Sequence, residues 1–235
     1  YGPKPCRVLE TVGNEEDPRA ASLIAIHSHG IPTGFSEEAE AEAKAAREPT
    51  LEGREDLRDL PFVTIDPVDA RDHDDAVYAH PDDSEGNKGG WVVWVAIADV
   101  AAYVRPGSAL DRDARDKGNS VYFPERVEPM LPETLSNGLC SLREGENRAT
   151  LAVRMVFDKS GHKKNHRFVR GLMRSAAKLS YEQAQAAIDG TPPPAGQDPD
   201  KAPPLLDAIL NPLWEAFRLM GKGREARSPL AIESD

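Results

Sequence analysis

Between Trp91 and Ala98 the chain reads WVVWVAIA, a run with no charged residue and no turn former. This is the longest apolar run in the sequence, long enough for a strand and too short to cross a bilayer as a helix. A strand that is apolar at successive positions, rather than alternate ones, is buried on both faces. The chain therefore has to build a sheet with cover on each side. The segments before the run agree. LPFVTID reads as a strand that stops at Asp66-Pro67, because proline cannot continue a ladder. DDAVYAH reads as a second strand, and the polar, glycine-rich PDDSEGNKGG as the hairpin loop that leads into Trp91. Three strands thus converge around residues 66–75.

Further along, RATLAVRMVFD and HKKNHRFVRGLM flank the turn KSG as a β-hairpin. Ser108 with Asp111 caps a short helix, ALDRDARDK, which Gly118 ends. Ser180 with Gln183 opens the helix YEQAQAAID with a capping box. GTPPPAGQDPDKAPP is a proline-rich linker, and Leu205–Arg227 has the pattern of a long amphipathic helix. The segment between residues 119 and 142 is too rich in proline and glycine for long elements.

At the amino end, residues 5–12 and 20–27 (PCRVLETV and AASLIAIH) read as two short strands joined by GNEEDP, the end of a larger β unit. Ser36 then caps EEAEAEAKAAR, with Glu37, Glu38 and Glu40 in the first turn, where the helix dipole favours negative charge. Composed almost wholly of Ala, Glu and Lys, this helix is expected on the surface, linking two units. The fold class expected is α+β, with a mixed, largely antiparallel sheet and flanking helices.

Composition narrows the functional classes. Hydrophobic residues at 39% suffice for a core, and the net charge of −11 argues against a protein that grips nucleic acid through its bulk field. An enzyme acting on nucleic acid through recruited cations stays open, because bound cations present local positive charge to phosphate. Basic residues cluster only in the hairpin, as Lys159, Lys163, Lys164, Arg167, Arg170 and Arg174, and a solvated hairpin is the plainer reading of that cluster. The amino end lacks the apolar region of a signal peptide. Cys6 and Cys140 fit no zinc or CxxC spacing, which suggests a reduced cytosolic setting and no catalytic thiol.

The stretch TIDPVDARDHDDAV places Asp66, Asp69, Asp72, Asp74 and Asp75 close together, with only Arg71 and His73 among them. Carboxylates so crowded repel one another and raise each other's pKa unless a positive charge is shared. Two readings stand side by side. One is a solvated acidic turn. The other is a site for hard divalent ions, in which several carboxylates clamp the attacking and leaving oxygens of a phosphoryl displacement. An EF-hand calcium loop is excluded, because the required Gly and Glu positions are not filled. His73 is read as a non-ligand, since imidazole is not a preferred partner of Mg²⁺. Asp99 is read as a turn or cap residue in preference to a ligand. Tyr122 and Phe123 can stack on bases, although core packing is the commoner fate of such aromatics.

Three segments, DLRDLPFVTIDPVDARDHDDAVYA, WVVWVAIADVAAYVRPGSALDRDAR and SVYFPERVEPMLPETLSNGLCSL, resemble in order the catalytic RNB domain of the ribonuclease II and ribonuclease R exoribonucleases, with the match closest to the ribonuclease R branch. The resemblance implies processive, Mg²⁺-dependent 3′→5′ hydrolysis of RNA to nucleoside 5′-monophosphates, acting on a single-stranded 3′ end. It carries the family's catalytic, metal-holding aspartates onto Asp66, Asp72, Asp74 and Asp75, leaves Asp69 facing solvent, and places the RNA-stacking tyrosine on Tyr122. It also implies a cytoplasmic monomer with no membrane partner. The domains it implies are the remnant of a cold-shock (OB-type) domain over 1–30, a helical linker over 31–56, and the amino-terminal part of the RNB domain over 57–235. The family's arginine-bearing TSPIRRY-like segment, its downstream glutamate and its S1 domain have no counterpart here, and Ile232 stands where an aromatic partner of the tyrosine is expected. The isolated chain is therefore expected to be inactive, and a catalytically silent RNA-binding or scaffold relative is the alternative.

Overall fold

The computed structural model describes Arg7 and residues 20–226. Its contacts divide the chain into two units. One joins Tyr1–Ala45 to Val104–Glu133, and the other joins Ala46–Tyr103 to Thr134–Asp235.

In chain order the helices are α1 (Ala20–His29), α2 (Glu37–Ala45), α3 (Ala109–Lys117), α4 (Tyr181–Asp189) and α5 (Asn211–Glu225). The strands are β1 (Glu55–Asp56), β2 (Val63–Asp66), β3 (Asp75–Pro81), β4 (Trp91–Ala98), β5 (Val121–Tyr122), β6 (Val127–Glu128), β7 (Asn147–Phe157), β8 (Lys163–Arg174) and β9 (Ala177–Ser180).

The second unit is built on a sheet of order β1-β8-β7-β4-β3-β2-β9. Its inner pairs are antiparallel. The outermost pairs, β1 with β8 and β2 with β9, are parallel. The apolar run forms β4 from Trp91 to Ala98, at the centre of the sheet between β3 and β7. Both faces carry cover over most of its length, while Ile97 near its carboxyl end stays exposed. On one side Phe62 meets the rings of Tyr78 and Trp94 edge-on, at 6.3 and 6.4 Å between centroids. On the other, α5 lays Ala216 against Ala79, Val93 and Phe157. A second cluster seats Leu179 and Val63 under Ala184 of α4 and the Ile209–Leu210 turn that precedes α5. At the tip of the β7–β8 hairpin Gly161 has φ +79°, and a Cβ there would lie 2.2 Å from the carbonyl oxygen of Leu219 in α5, so only glycine lets hairpin and helix approach.

In the first unit α2 and α3 cap each other. Glu42 accepts from the N–H groups of Ala109 and Leu110 at 3.0 and 2.9 Å, at the start of α3. Asp113 accepts from the backbone N–H and the hydroxyl of Ser36 at 2.7 and 2.9 Å, at the start of α2. The expected surface helix is thus docked along one face, with Ala39 and Ala43 buried.

The strand expected over 20–27 is corrected: these residues form α1, with Ser22 and Ile26 on its buried side. A short apolar stretch does not distinguish strand from helix by periodicity. Here Ala and Leu favour helix, and His27 and His29 suit the carboxyl end of the dipole. The companion strand over 5–12 and Cys6 lie outside the described residues. No helix among the described residues is long and apolar enough to cross a membrane.

Candidate active site

Asp66 is the last residue of β2 and Asp75 the first of β3, so the acidic run is the connection between two paired strands. The connection does not hang free. Ala70 N–H closes a turn onto the Pro67 carbonyl at 3.0 Å. Lys178 Nζ, from β9, donates to the Ala70 carbonyl at 2.9 Å. The fully buried hydroxyl of Ser141 donates to the Arg71 carbonyl at 2.9 Å and accepts from His73 N–H at 3.1 Å. Leu142 N–H donates to the His73 carbonyl at 2.8 Å, and Ala98 N–H to the Asp74 carbonyl at 2.9 Å. Backbone polar groups in a loop near the core need such partners, and here they come from three different elements.

His73 is buried at 3% exposure, and its Nδ1 stands 2.9 Å from Asp66 Oδ2. A carboxylate only accepts, so Nδ1 carries the proton. Asp66 and Asp72 are half-buried, while Asp69, Asp74 and Asp75 are exposed. Although Asp74 retains exposed surface, partial burial raises its pKa above the ordinary carboxylate value, and the charges of Asp72, Asp75 and Asp66 push it further. Asp75 is raised by partial burial first and by Asp66 second. Asp74 thus feels the charges of Asp66, Asp72 and Asp75, and Asp75 that of Asp66. Asp69, in contrast, does not figure among the charges that raise Asp74 or Asp75.

The strand register extends the site sideways. Asp75 lies opposite Ile97, which lies opposite Leu151, which lies opposite Arg170. Ile97 and Leu151 are both 47% exposed, as is Phe168 at 66%, two residues before Arg170 on the same face of β8. An apolar strip ending in an aromatic and a cation thus runs from Asp75 across the sheet.

Tyr122 belongs to the other unit, where it is 65% exposed in the β5–β6 hairpin and lies opposite Val127. Asp99 opens the turn after β4, and its carboxylate meets the guanidinium of Arg54 at 2.8 Å. Among the hairpin cations, Arg167 pairs with Glu55 at 2.7 and 2.8 Å. Lys164 donates to the Gly86 carbonyl at 3.2 Å. Cys140 is buried, and burial followed by the Asp74 charge pushes its thiol up to about 12, which leaves it unsuited to nucleophilic work.

The donor set is four carboxylates at one end of a sheet, hard oxygen ligands of the kind that divalent cations such as Mg²⁺ take. Among the described residues no three His, Cys, Asp or Glu side chains are gathered tightly enough to hold a metal ion. Burial and neighbouring carboxylates raise the pKa of Asp74 and Asp75, a penalty on their charged forms that a bound cation would relieve. The residues present fit the cation in their chemistry. Two residues that build the loop, His73 and Ser141, escaped the sequence reading as site members. They lie 68 positions apart, and no local pattern links them.

The RNB domain family model matches residues 54–230, and the chain belongs to that family. Among individual relatives, Ribonuclease R of Escherichia coli (strain K12) is 40% identical over 97% of this chain, and Ribonuclease R of Acidithiobacillus ferrooxidans is 44% identical over 95% of it. The chain spans 28% and 49% of the length of those two proteins. Among solved structures, Mycoplasma genitalium RNase R in complex with double-stranded RNA matches 92% of this chain and 36% of its own, at a TM-score of 0.77 and 30% identity.

Proposed function

We propose that this chain carries the metal-holding carboxylates of a processive, Mg²⁺-dependent 3′→5′ exoribonuclease that hydrolyses RNA to nucleoside 5′-monophosphates. The observation that carries this reading is the acidic loop itself. Asp66, Asp72, Asp74 and Asp75 sit on one strand connection whose backbone is pinned from three sides, in a chain of the RNB domain family. M. genitalium RNase R, solved in complex with double-stranded RNA and with ribose methylated single-stranded RNA, supports RNA as the ligand class.

In this reading Asp66, Asp72, Asp74 and Asp75 hold Mg²⁺ and are catalytic. When bound, Mg²⁺ supplies the positive charge that activates water and steadies the leaving 3′-oxygen. His73 holds the carboxylate of Asp66 in one orientation. The terminal base of a single-stranded 3′ end stacks on Tyr122, and the exposed strip of Phe168 and Arg170 offers a further π face and a cation on the same side of the sheet as Asp75. The domain layout goes with it: a cold-shock remnant over 1–30, a linker over 31–56, and the RNB portion from 57, a start supported by the family match over 54–230. The setting is a cytoplasmic monomer. A buried free thiol at Cys140 is at ease in a reducing compartment.

The test is release of mononucleotides from a labelled oligoribonucleotide by a longer protein that carries this chain. Asp74→Asn and Asp75→Asn should each abolish release while RNA binding persists. Undiminished release by either variant would overturn the proposal.

A further inference from the structure

We infer that His73 and Ser141 are positioning residues, a buried latch that sets the acidic loop for its cation; the inference rests on the metal-holding reading above. Ser141 has no exposed surface, and its single hydroxyl serves both sides of Asp72, donating to the Arg71 carbonyl and accepting from His73 N–H. Its own carbonyl accepts from Arg148 Nε at 2.8 Å. Arg148 is itself buried at 3% exposure and anchored on the Asn147 carbonyl at 2.9 Å and on Glu146. The next residue, Leu142, takes the His73 carbonyl. Both backbone polar groups of His73 therefore end on residues 141–142, while its ring ends on Asp66.

The consequence is geometric. Asp66 closes β2, whereas Asp72 and Asp74 flank His73 in the loop. One buried residue thus ties the strand-borne carboxylate to the loop-borne ones. Carboxylates that repel one another splay unless the backbone beneath them is fixed by contacts that do not depend on their charge. Ser141 provides such contacts, since both of its partners are main-chain groups. His73 provides the one contact that fixes the plane of a ligand carboxylate. Outer-shell partners of this sort orient ligands, and their loss weakens metal affinity about 10- to 100-fold.

Two measurements on the full chain decide the matter. Without metal, amide hydrogen exchange at His73 and its loop neighbours should be at least about tenfold faster in Ser141→Ala than in wild type, because His73 N–H loses its acceptor and the Arg71 carbonyl its donor. Unchanged exchange would overturn the latch. With metal, Mn²⁺ titration followed by electron paramagnetic resonance should show binding weakened about tenfold in His73→Phe and in Ser141→Ala. His73→Asn should regain most of the loss, since its amide N–H stands where Nδ1–H stood. Melting of the metal-free variants identifies any that fail to fold, and Ser141→Ala carries the test should His73→Phe be one of them. Wild-type affinity in a folded His73→Phe, with wild type itself binding Mn²⁺, contradicts the latch alone. A wild-type chain that takes up no Mn²⁺ contradicts the metal-holding reading, and the latch's role for a cation falls with it.

Discussion

The guanidinium of Arg54 and the carboxylate of Asp99 meet at 2.8 Å, with side chains 12% and 5% exposed. They join the segment before β1 to the end of β4, an ion pair between two places far apart in sequence. A buried pair is not strong evidence of stability, but removing one partner strands the other charge, at a cost of about 3–5 kcal/mol. Asp99→Ala should therefore lower the urea unfolding free energy by about that amount. A loss below about 1 kcal/mol, the range of surface pairs, would show that water reaches Arg54.

Asp74 and Asp75 have folded-state pKa values above the unfolded ones, chiefly through partial burial and then through neighbouring carboxylates. The sign follows from proton linkage. Ionisation is easier in the unfolded chain, so stability is highest below the unfolded pKa and is lost as pH rises through the raised one. Asp74→Asn should thus melt at a higher temperature than wild type at pH 7 without metal, and the difference should vanish near pH 3. Added Mg²⁺ should reverse the order by stabilising wild type more.

At alkaline pH the acids pushed up furthest among the described residues are buried Cys140 and half-buried Tyr103, each to about 12 chiefly by burial. Their neutral forms suit the fold, so stability is retained below the unfolded values of 9.0 and 10.0 and declines as pH rises towards 12. For Cys140 the gap corresponds to about 4 kcal/mol. Cys140→Ala should flatten the decline between pH 9 and 11 in denaturant titrations. In the native chain at pH 8, mass-mapped alkylation should spare Cys140 and reach it only after unfolding.

Gly161→Ala should be costly. It forces an L side chain into φ +79° and drives a methyl to within 2.2 Å of the Leu219 carbonyl. Strain of this kind costs about 1–3 kcal/mol. Hydrogen exchange should show the loss concentrated in α5 and the hairpin tip. Uniform loosening across the sheet would contradict the contact.

How far the sequence could be read depends on where its determinants lie. The bounds of β4, the capping box at Ser180 and the cap at Ser108 rest on local chemistry, and they stand where that chemistry puts them. The strand β9 was not foreseen, because four residues, AKLS, carry no alternation; they are held by the parallel ladder to β2. Residues 20–27 were misread because a short apolar stretch serves helix and strand alike. In the candidate site, the carboxylates were legible as a crowded run, whereas the latch was not. Ser141 is an unremarked serine in the LCSL segment until the fold lays it under Arg71 and His73. The mutual capping of α2 and α3 by Glu42 and Asp113 was hidden for the same reason: each cap lies on the other helix.

The central claim is that this acidic loop holds a divalent cation, and anomalous scattering from crystals of the chain soaked in Mn²⁺ tests it most directly. The account predicts a peak about 2.0–2.3 Å from carboxylate oxygens drawn from Asp66, Asp72, Asp74 and Asp75, lost in crystals of Asp74→Asn. Well-ordered carboxylates with no peak among them, at Mn²⁺ concentrations that occupy other sites, would contradict it.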